Sequence, residues 1–414
     1  MTNVRLWVVS ELFYPETTST GYFLTGIAEG LAVDHDVHAL CSRPTYSERG
    51  QRVPWREQHK GVTIQRVRSS TFAKDWLLGR VLNMITFSLL VTLTLLHKSR
   101  RGDALLVVTN PPLATLLLGI VARWKGLRSI LLVHDVYPEV LHATGHLRPA
   151  GPASRLIETV MRWVFRRYDD VVVLGRDMAE LIARKIGTDR PIVIIPNWGD
   201  PEEVTPLARG DNPFAIAHGL VDHTVIQFSG NLGRTHDIET VLAAARRLSD
   251  RASLRFLFVG YGGKTDIIAD ASACLPNVLF APRQPREMLG AMLSCADATL
   301  IAFSDKMLGV SVPSRMYNVM AAGAPLVALA DPRSELAQVI TEETCGWTLT
   351  TGDIDGLCDL LTLIDSPAGR LEARRRGENG RNAVLHHYTR ETVVAGFAAL
   401  LGDTRRATSA PRRT

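Results

Sequence analysis

The stretch TVIQFSGNLGRTHDIETVLAA, Thr224 to Ala244, reads as a strand, a glycine turn and a helix. Its apolar run ends at Ser229, Gly230-Asn231-Leu232-Gly233-Arg234 follows, and a helical segment opens near Asp237. A short apolar strand that passes through a glycine turn into a helix is the repeating unit of a parallel sheet covered on both faces. The unit recurs in both directions. Upstream, RLWVVSEL, VHALCS, ALLVVTN, SILLVHD, DDVVVLG and PIVIIPN alternate with helix-length stretches such as TGYFLTGIAEGLA and PLATLLLGIVARWKG. Downstream, LRFLFVG, NVLFAP, ATLIAF and PLVALAD alternate with segments such as REMLGAMLSCA. The pattern predicts an α/β chain with two Rossmann-like, doubly wound domains facing across a cleft, ligands lying beyond the carboxyl ends of the strands.

The alternation restarts at Val225 after a polar, proline-containing stretch, NWGDPEEVTPLARGDNPFAIAHGL. We therefore expect domains over residues 1–205 and 206–385, then a C-terminal helix over 386–404 returning to the first domain. Residues 405–414 are expected to be a disordered basic tail. A length of 414 residues suits two cores, and 46% hydrophobic with 21% charged residues is a globular composition. The net charge is +5, of which Arg405, Arg406, Arg412 and Arg413 supply most, so the body is near neutral. No basic, aromatic-studded motif elsewhere supports a nucleic-acid partner. The five cysteines are odd in number and widely spaced, without a C-x-x-C pair, which argues against zinc and for a reduced, cytoplasmic setting. The opening MTNVRLWVVSELFYP reads as a buried first strand rather than a signal peptide.

Val81 to Leu96, VLNMITFSLLVTLTLL, carries no charge and spans roughly 24 Å as a helix, short of a ~30 Å bilayer core. A buried helix is expected, with a membrane-contacting one as the alternative. Arg155 to Asp170, RLIETVMRWVFRRYDD, is basic and amphipathic and carries the same two alternatives.

Three loops carry the candidate chemistry. Gly230, Asn231 and Gly233 let a ligand approach the backbone, and Arg234 offers a fork of donors suited to phosphate. The next strand ends in FVGYGGKTDII, glycines again followed by a cation, Lys264. In GVSVPSRMYNVMAAGAPLVALADPRSE, Gly309 to Glu335, small residues lead through Pro313-Ser314 into a helix beginning beside Arg315. Such a start suits an approaching anion, or Ser314 is simply its N-cap. Together the loops suggest one diphosphate pocket. In the first half a small-residue loop ends in Gly21, and a strand ends in His134-Asp135, candidates for polar work on a substrate or for capping and backbone bonding. A G-x-G-x-x-G fingerprint is absent, which argues against a dinucleotide.

The motifs YPETTSTGYFLTGIAEGLA, HDVYPE, IPNWGD, GNLGRTHDIETVL, NVLFAPRQPREMLGAMLSCADATLIAF and VPSRMYNVMAAGAPLVALADPRSE resemble those of the retaining family 4 glycosyltransferases. The resemblance covers nearly the whole chain. It is closest to bacterial members that build cell-surface polysaccharides and transfer amino sugars such as N-acetylfucosamine. It implies the GT-B fold, a nucleotide-diphosphate sugar donor held mainly by the C-terminal domain, and an acceptor held mainly by the N-terminal one. It makes Arg234 and Lys264 the diphosphate cations, sets Gly21 opposite them, places His134 near the transferred sugar, and brings Glu335 close to the donor.

One departure stands out. Many members carry two glutamates eight positions apart, and here those positions are Val310 and Asn318. Asn318 can hydrogen-bond a ribose hydroxyl but is no carboxylate. Donor binding then falls to the backbone from Gly309 and Val310 through Ser311 to Ser314 and to the cations. The resemblance implies retention by attack on the face the diphosphate leaves, with no cofactor. DID, Asp353 to Asp355, lies far from the candidate loops, so metal dependence is not predicted. The implied acceptor is a sugar, or one on a polyprenyl diphosphate, at the inner face of the membrane. A nucleotide-sugar 2-epimerase, a non-catalytic nucleotide-sugar-binding subunit and a small-molecule tailoring transferase are the rival functions.

Overall fold

The computed structural model describes residues 4–45, 48–72 and 77–402. The chain forms two compact units. The first takes the residues up to Pro138, Pro149–Pro196 and the segment from Arg390; the second takes Glu139–Arg148 and Asn197–Thr389.

In the first unit eight strands form one sheet: β1 (Arg5–Val9), β2 (Asp36–Cys41), β3 (Arg56–His59), β4 (Val62–Arg66), β5 (Ala104–Val108), β6 (Arg128–Val133), β7 (Asp170–Val173) and β8 (Ile192–Ile194). Their order is β3-β4-β2-β1-β5-β6-β7-β8. All neighbours are parallel except the antiparallel pair β3 and β4. Every residue of β5 is buried, as a central strand covered on both faces requires. The final helix, Arg390–Gly402, packs on helix Ser19–Leu31, where Arg390 Nη2 donates to Gly26 O at 2.9 Å and to Glu29 Oε2 at 2.6 Å.

The second unit holds six parallel strands: β9 (Thr224–Asn231), β10 (Leu254–Tyr261), β11 (Val278–Pro282), β12 (Ala298–Ala302), β13 (Leu326–Leu329) and β14 (Gly346–Leu349). Their order is β11-β10-β9-β12-β13-β14. Ile226, Phe228, Phe256, Phe258 and Leu300 centre its core. Chain direction across the sheet reverses between β9 and β12, which makes the ends of those strands the place where a ligand crevice opens.

Several expectations are corrected in position. Residues 139–148 belong to the second unit, and the boundary expected at 205 lies at Pro196 and Asn197. The Gly199 amide donates to Tyr388 O at 3.1 Å and that of Asp200 to Asn318 Oδ1 at 3.2 Å, which ties this segment into the second unit. The terminal helix begins at Arg390, not 386. Residues 405–414 lie outside the described residues. β3, β4 and β14 add three strands to those expected.

The expectation of a buried apolar helix is half overturned. Helix Leu77–Lys98 buries Phe87, Val91 and Leu95, yet Leu78 and Leu93 are 63% and 61% exposed. Its hydroxyl residues bond within the helix: Ser88, Thr92 and Thr94 each donate to the carbonyl four residues earlier, at 2.6, 2.6 and 2.7 Å. The helix is long and apolar enough to cross a membrane by length and composition.

Candidate active site

In the second unit, β9 and β10 run in register with Gly230 opposite Gly260 and Asn231 opposite Tyr261. Beyond the strands the two loops stay knitted. The Leu232 amide donates to Tyr261 O at 2.8 Å and the Lys264 amide to Leu232 O at 2.9 Å. The turn after β9 is also bound to the turn after β12, because Ser304 N donates to Thr235 O at 2.9 Å and Asp237 N to Ala302 O at 3.3 Å. Asp237 caps helix Ile238–Arg247 by accepting from Thr240 N.

Two cations bond to this turn. Arg315 Nη1 donates to Ser229 O at 2.7 Å, and its guanidinium lies 4.7 Å over the Phe228 ring. Burial brings the Arg315 pKa down to about 10, and its Nη2 is buried without a hydrogen-bond partner among the described residues. A Cβ at Gly230, whose φ is +114°, would come within 3.1 Å of Nη1. Lys264 Nζ donates to His236 O at 2.7 Å and to Glu239 Oε2 at 2.6 Å. Arg234 extends from the same turn, exposed and without a partner among the described residues. A ligand anion can therefore meet Arg234 freely, while Lys264 must share its charge with Glu239.

His236, unmarked in the sequence, is the residue on which this turn closes. It is buried, stacks on Phe303 at 5.6 Å and meets Phe228 edge-on at 5.8 Å. Burial, then Arg315 and Lys264, hold its pKa at about 2.

The remaining expected donor residues spread over neighbouring loops. Gly309 takes φ +73°, and the Val310 amide donates to Met307 O at 3.0 Å; Val310 is buried and Ser311 half-buried. Ser314 occupies the N-cap position of helix Arg315–Ala321 without making a side-chain cap bond. Asn318 Oδ1 is taken by the Asp200 amide. Glu335 is buried in the first turn of helix Glu335–Glu342, where the macrodipole favours a carboxylate.

In the first unit, β6 delivers His134. Its amide is held by Thr109 Oγ1 at 3.2 Å, and Nδ1 lies 3.1 Å from Thr20 Oγ1. Nε2 is buried without a partner among the described residues. Asp135 follows, half-buried, its amide 3.5 Å from Thr109 Oγ1. Gly21 is buried in the helix that carries Thr20; its amide donates to the Thr18 cap at 3.4 Å, and a Cβ there would sit 2.7 Å from Glu16 O.

Burial alone lowers the His134 pKa to about 4. Both His134 and His236 are then neutral in the folded chain near pH 7. A histidine whose folded pKa is depressed binds its proton in the unfolded state first. The stability it confers is therefore complete above about pH 6.5 and is lost as pH falls toward the folded value. We expect each of the two to remove on the order of 2 kcal/mol between pH 7 and pH 5. Urea unfolding across that range, compared with His134→Gln and His236→Gln, measures each share as a flattened slope.

The two-unit architecture defines a GT-B glycosyltransferase fold. Residues 20–198 match the Glycosyl transferase 4-like domain and residues 217–383 the Glycosyl transferases group 1 domain. The chain is 31% identical over 405 residues to the Pseudomonas aeruginosa protein named Probable glycosyltransferase WbjE, covering 95% of this chain and 97% of that one. It is 24% identical over 350 residues to the Escherichia coli K12 protein named Putative colanic acid biosynthesis glycosyl transferase WcaI, with 81% and 86% covered. Among solved structures, Anabaena HepE in complex with UDP-glucose superimposes with a TM-score of 0.70 at 12% identity, covering 96% of this chain and 99% of that one. The chain belongs to the group 1, 4-like glycosyltransferase family.

Proposed function

We propose that this glycosyltransferase moves a sugar from a nucleoside diphosphate sugar to a cell-envelope glycan acceptor, with retention of configuration and without a metal. The observation that carries this reading is the turn after β9: Arg234 stands unpartnered there among the described residues, and Lys264 and Arg315 bind the same turn. HepE with UDP-glucose supports the donor class, and WcaI, named for colanic acid biosynthesis, supports a polysaccharide product. The donor sugar is an amino sugar of the N-acetylfucosamine type, and the acceptor is a sugar on a polyprenyl diphosphate at the cytoplasmic face of the membrane.

As the glycosyl–phosphate bond breaks, negative charge grows on the leaving diphosphate. Arg234 and Lys264 face that charge, with Gly230, Asn231, Gly233 and the Gly309–Ser314 backbone lining the donor and Arg315 bracing the turn. The acceptor hydroxyl forms the new C–O bond on the face the diphosphate leaves, and a departing phosphate oxygen takes its proton. In the first unit, neutral His134 has Nε2 available to a substrate hydroxyl, with Asp135 and Gly21 near it in the fold; in the second, Asn318 and Glu335 belong to the donor side.

Mass spectrometry tests this directly. The protein is incubated with UDP-, GDP- and dTDP-sugars, with and without a short polyprenyl-diphosphate-linked sugar. Acceptor-dependent release of one nucleoside diphosphate, at an equal rate with and without EDTA, is the expected result. A 2-epimer released without acceptor would identify an epimerase instead, and binding of a donor without turnover would point to a subunit role.

A further inference from the structure

Three helices of the first unit pack in a row, 77–98 against 112–125 and 112–125 against 152–165. On the first, Leu78, Val81, Leu82, Ile85, Leu89 and Leu93 recur at helical spacing, and every one is exposed. They form an uncharged stripe about 22 Å long, longer than the scattered apolar side chains of an ordinary surface. The opposite face is committed to the fold. Phe87, Val91 and Leu95 are buried, and Asn83 accepts from the Phe72 amide at 2.9 Å and donates to its carbonyl at 3.0 Å. A helix fixed along one side lies on its unit and does not thread a bilayer.

The neighbouring helix also exposes apolar side chains. Ile120 and Trp124 lie one turn apart, and Trp124 is 76% exposed. Lys125 Nζ donates to Leu96 O at 2.5 Å and Ser99 O at 2.6 Å, fastening the ends of the two helices together. Arg101 lies against Gly126 at that junction. Arg123, beside Trp124, then opens onto a pocket of about 520 Å³. Arg162, Arg166, Arg167 and Arg190 complete its charge, with Thr159 and Trp163 and no carboxylate in the lining. Glu158 nearby is already engaged by Arg162 Nε at 2.9 Å and by Lys185. Three of the arginines are held in place: Arg166 by Ile186 O, Arg190 by Tyr168 O, and Arg167 4.5 Å over Trp163. With the body of the chain near neutral, this concentration of arginine is local and not a by-product of overall charge.

We propose that this face docks on a bilayer containing anionic lipid. The arginine pocket receives phosphate headgroups, Trp124 sits at headgroup level, and helix 77–98 lies in the interfacial plane with its leucines at the acyl boundary. An apolar stripe, a rim tryptophan and fixed arginines on adjoining helices complement a bilayer surface, where a free phosphate would leave the stripe in water.

Flotation of the full chain with vesicles tests the surface and needs neither donor nor acceptor, so failure here leaves the transfer reaction untouched. We expect flotation with phosphatidylcholine–phosphatidylglycerol vesicles and little with phosphatidylcholine alone. Arg123→Glu with Arg167→Glu should lower the bound fraction on the order of tenfold or more. Leu89→Glu with Leu93→Glu should abolish the part that survives high salt. Both pairs lie on exposed positions and should keep the wild-type circular dichroism and Tm. No flotation with anionic vesicles at low salt, or flotation unchanged by both pairs, overturns the proposal.

Discussion

Arg234→Ala should lower kcat/KM on the order of 10²–10³, the scale of losing one charge-stabilising donor at a leaving group, while leaving Tm unchanged. The side chain is exposed and makes no hydrogen bond or ion pair among the described residues, so folding loses little with it. Lys264→Ala should reach a similar loss by a second route that Arg234→Ala lacks. Its ammonium bonds to His236 O and Glu239, so removal strips a partner from a buried turn as well as a charge from the donor. We therefore expect a drop in Tm for Lys264→Ala and none for Arg234→Ala, read by calorimetry beside the kinetics. Lys264→Arg should recover part of the Tm but less of the rate, since a planar fork does not reproduce a point ammonium. Equal turnover by Arg234→Ala and the parent would remove Arg234 from the site.

What the sequence makes legible follows from which signals are local. Strands such as ALLVV and LVAL are apolar at every position because both faces are covered, and that pattern is visible without a partner. β3, Arg56–His59, is polar throughout and exists because it pairs with β4. The two-residue turn between them has positive φ at Lys60 and Gly61, yet Lys-Gly lacks the Asn-Gly or Asp-Gly signature of such hairpins. β14, Gly346–Leu349, is interrupted by Gly346 and Thr348 and so does not register as an apolar run. Helix 77–98 shows the limit of composition. An apolar helix reads the same whether its second face meets protein or not, and only the packing shows that Leu78, Leu89 and Leu93 are left outside.

The site divides the same way. Gly230, Arg234 and Lys264 stand at strand ends followed by helices, so spacing alone nominates them. Arg315 stands beside a helix start, but its place depends on a bond to Ser229 O, 86 residues earlier in the chain. His236 lies within the turn itself, and nothing marks it until Phe228 and Phe303 close around it. Asn318, read as a ribose contact, gives its oxygen to the Asp200 amide, a bond no local pattern announces.

Gly260→Ala should be the most damaging conservative change in the second unit. Gly260 stands opposite Gly230 in the β9–β10 register with φ +149°, a conformation L side chains rarely adopt. A Cβ there would lie 1.9 Å from Gly230 O, against backbone that cannot rotate away as a side chain can. Either the end of β10 or the Gly230 peptide must move. Moving the Gly230 peptide disturbs Ser229 O, where Arg315 bonds; moving β10 pulls Tyr261 O from the Leu232 amide. We expect a stability loss of about 2–4 kcal/mol from overpacking plus backbone strain, and donor turnover falling with it although no donor-contacting group has been removed. Gly263→Ala, with open space around its Cβ and no unusual φ, is the matched control and should behave as wild type. Urea unfolding and turnover of both variants separate the outcomes. A Gly260→Ala protein of parental stability and rate would mean that the paired glycines do not shape the donor turn, and that the cations alone determine it.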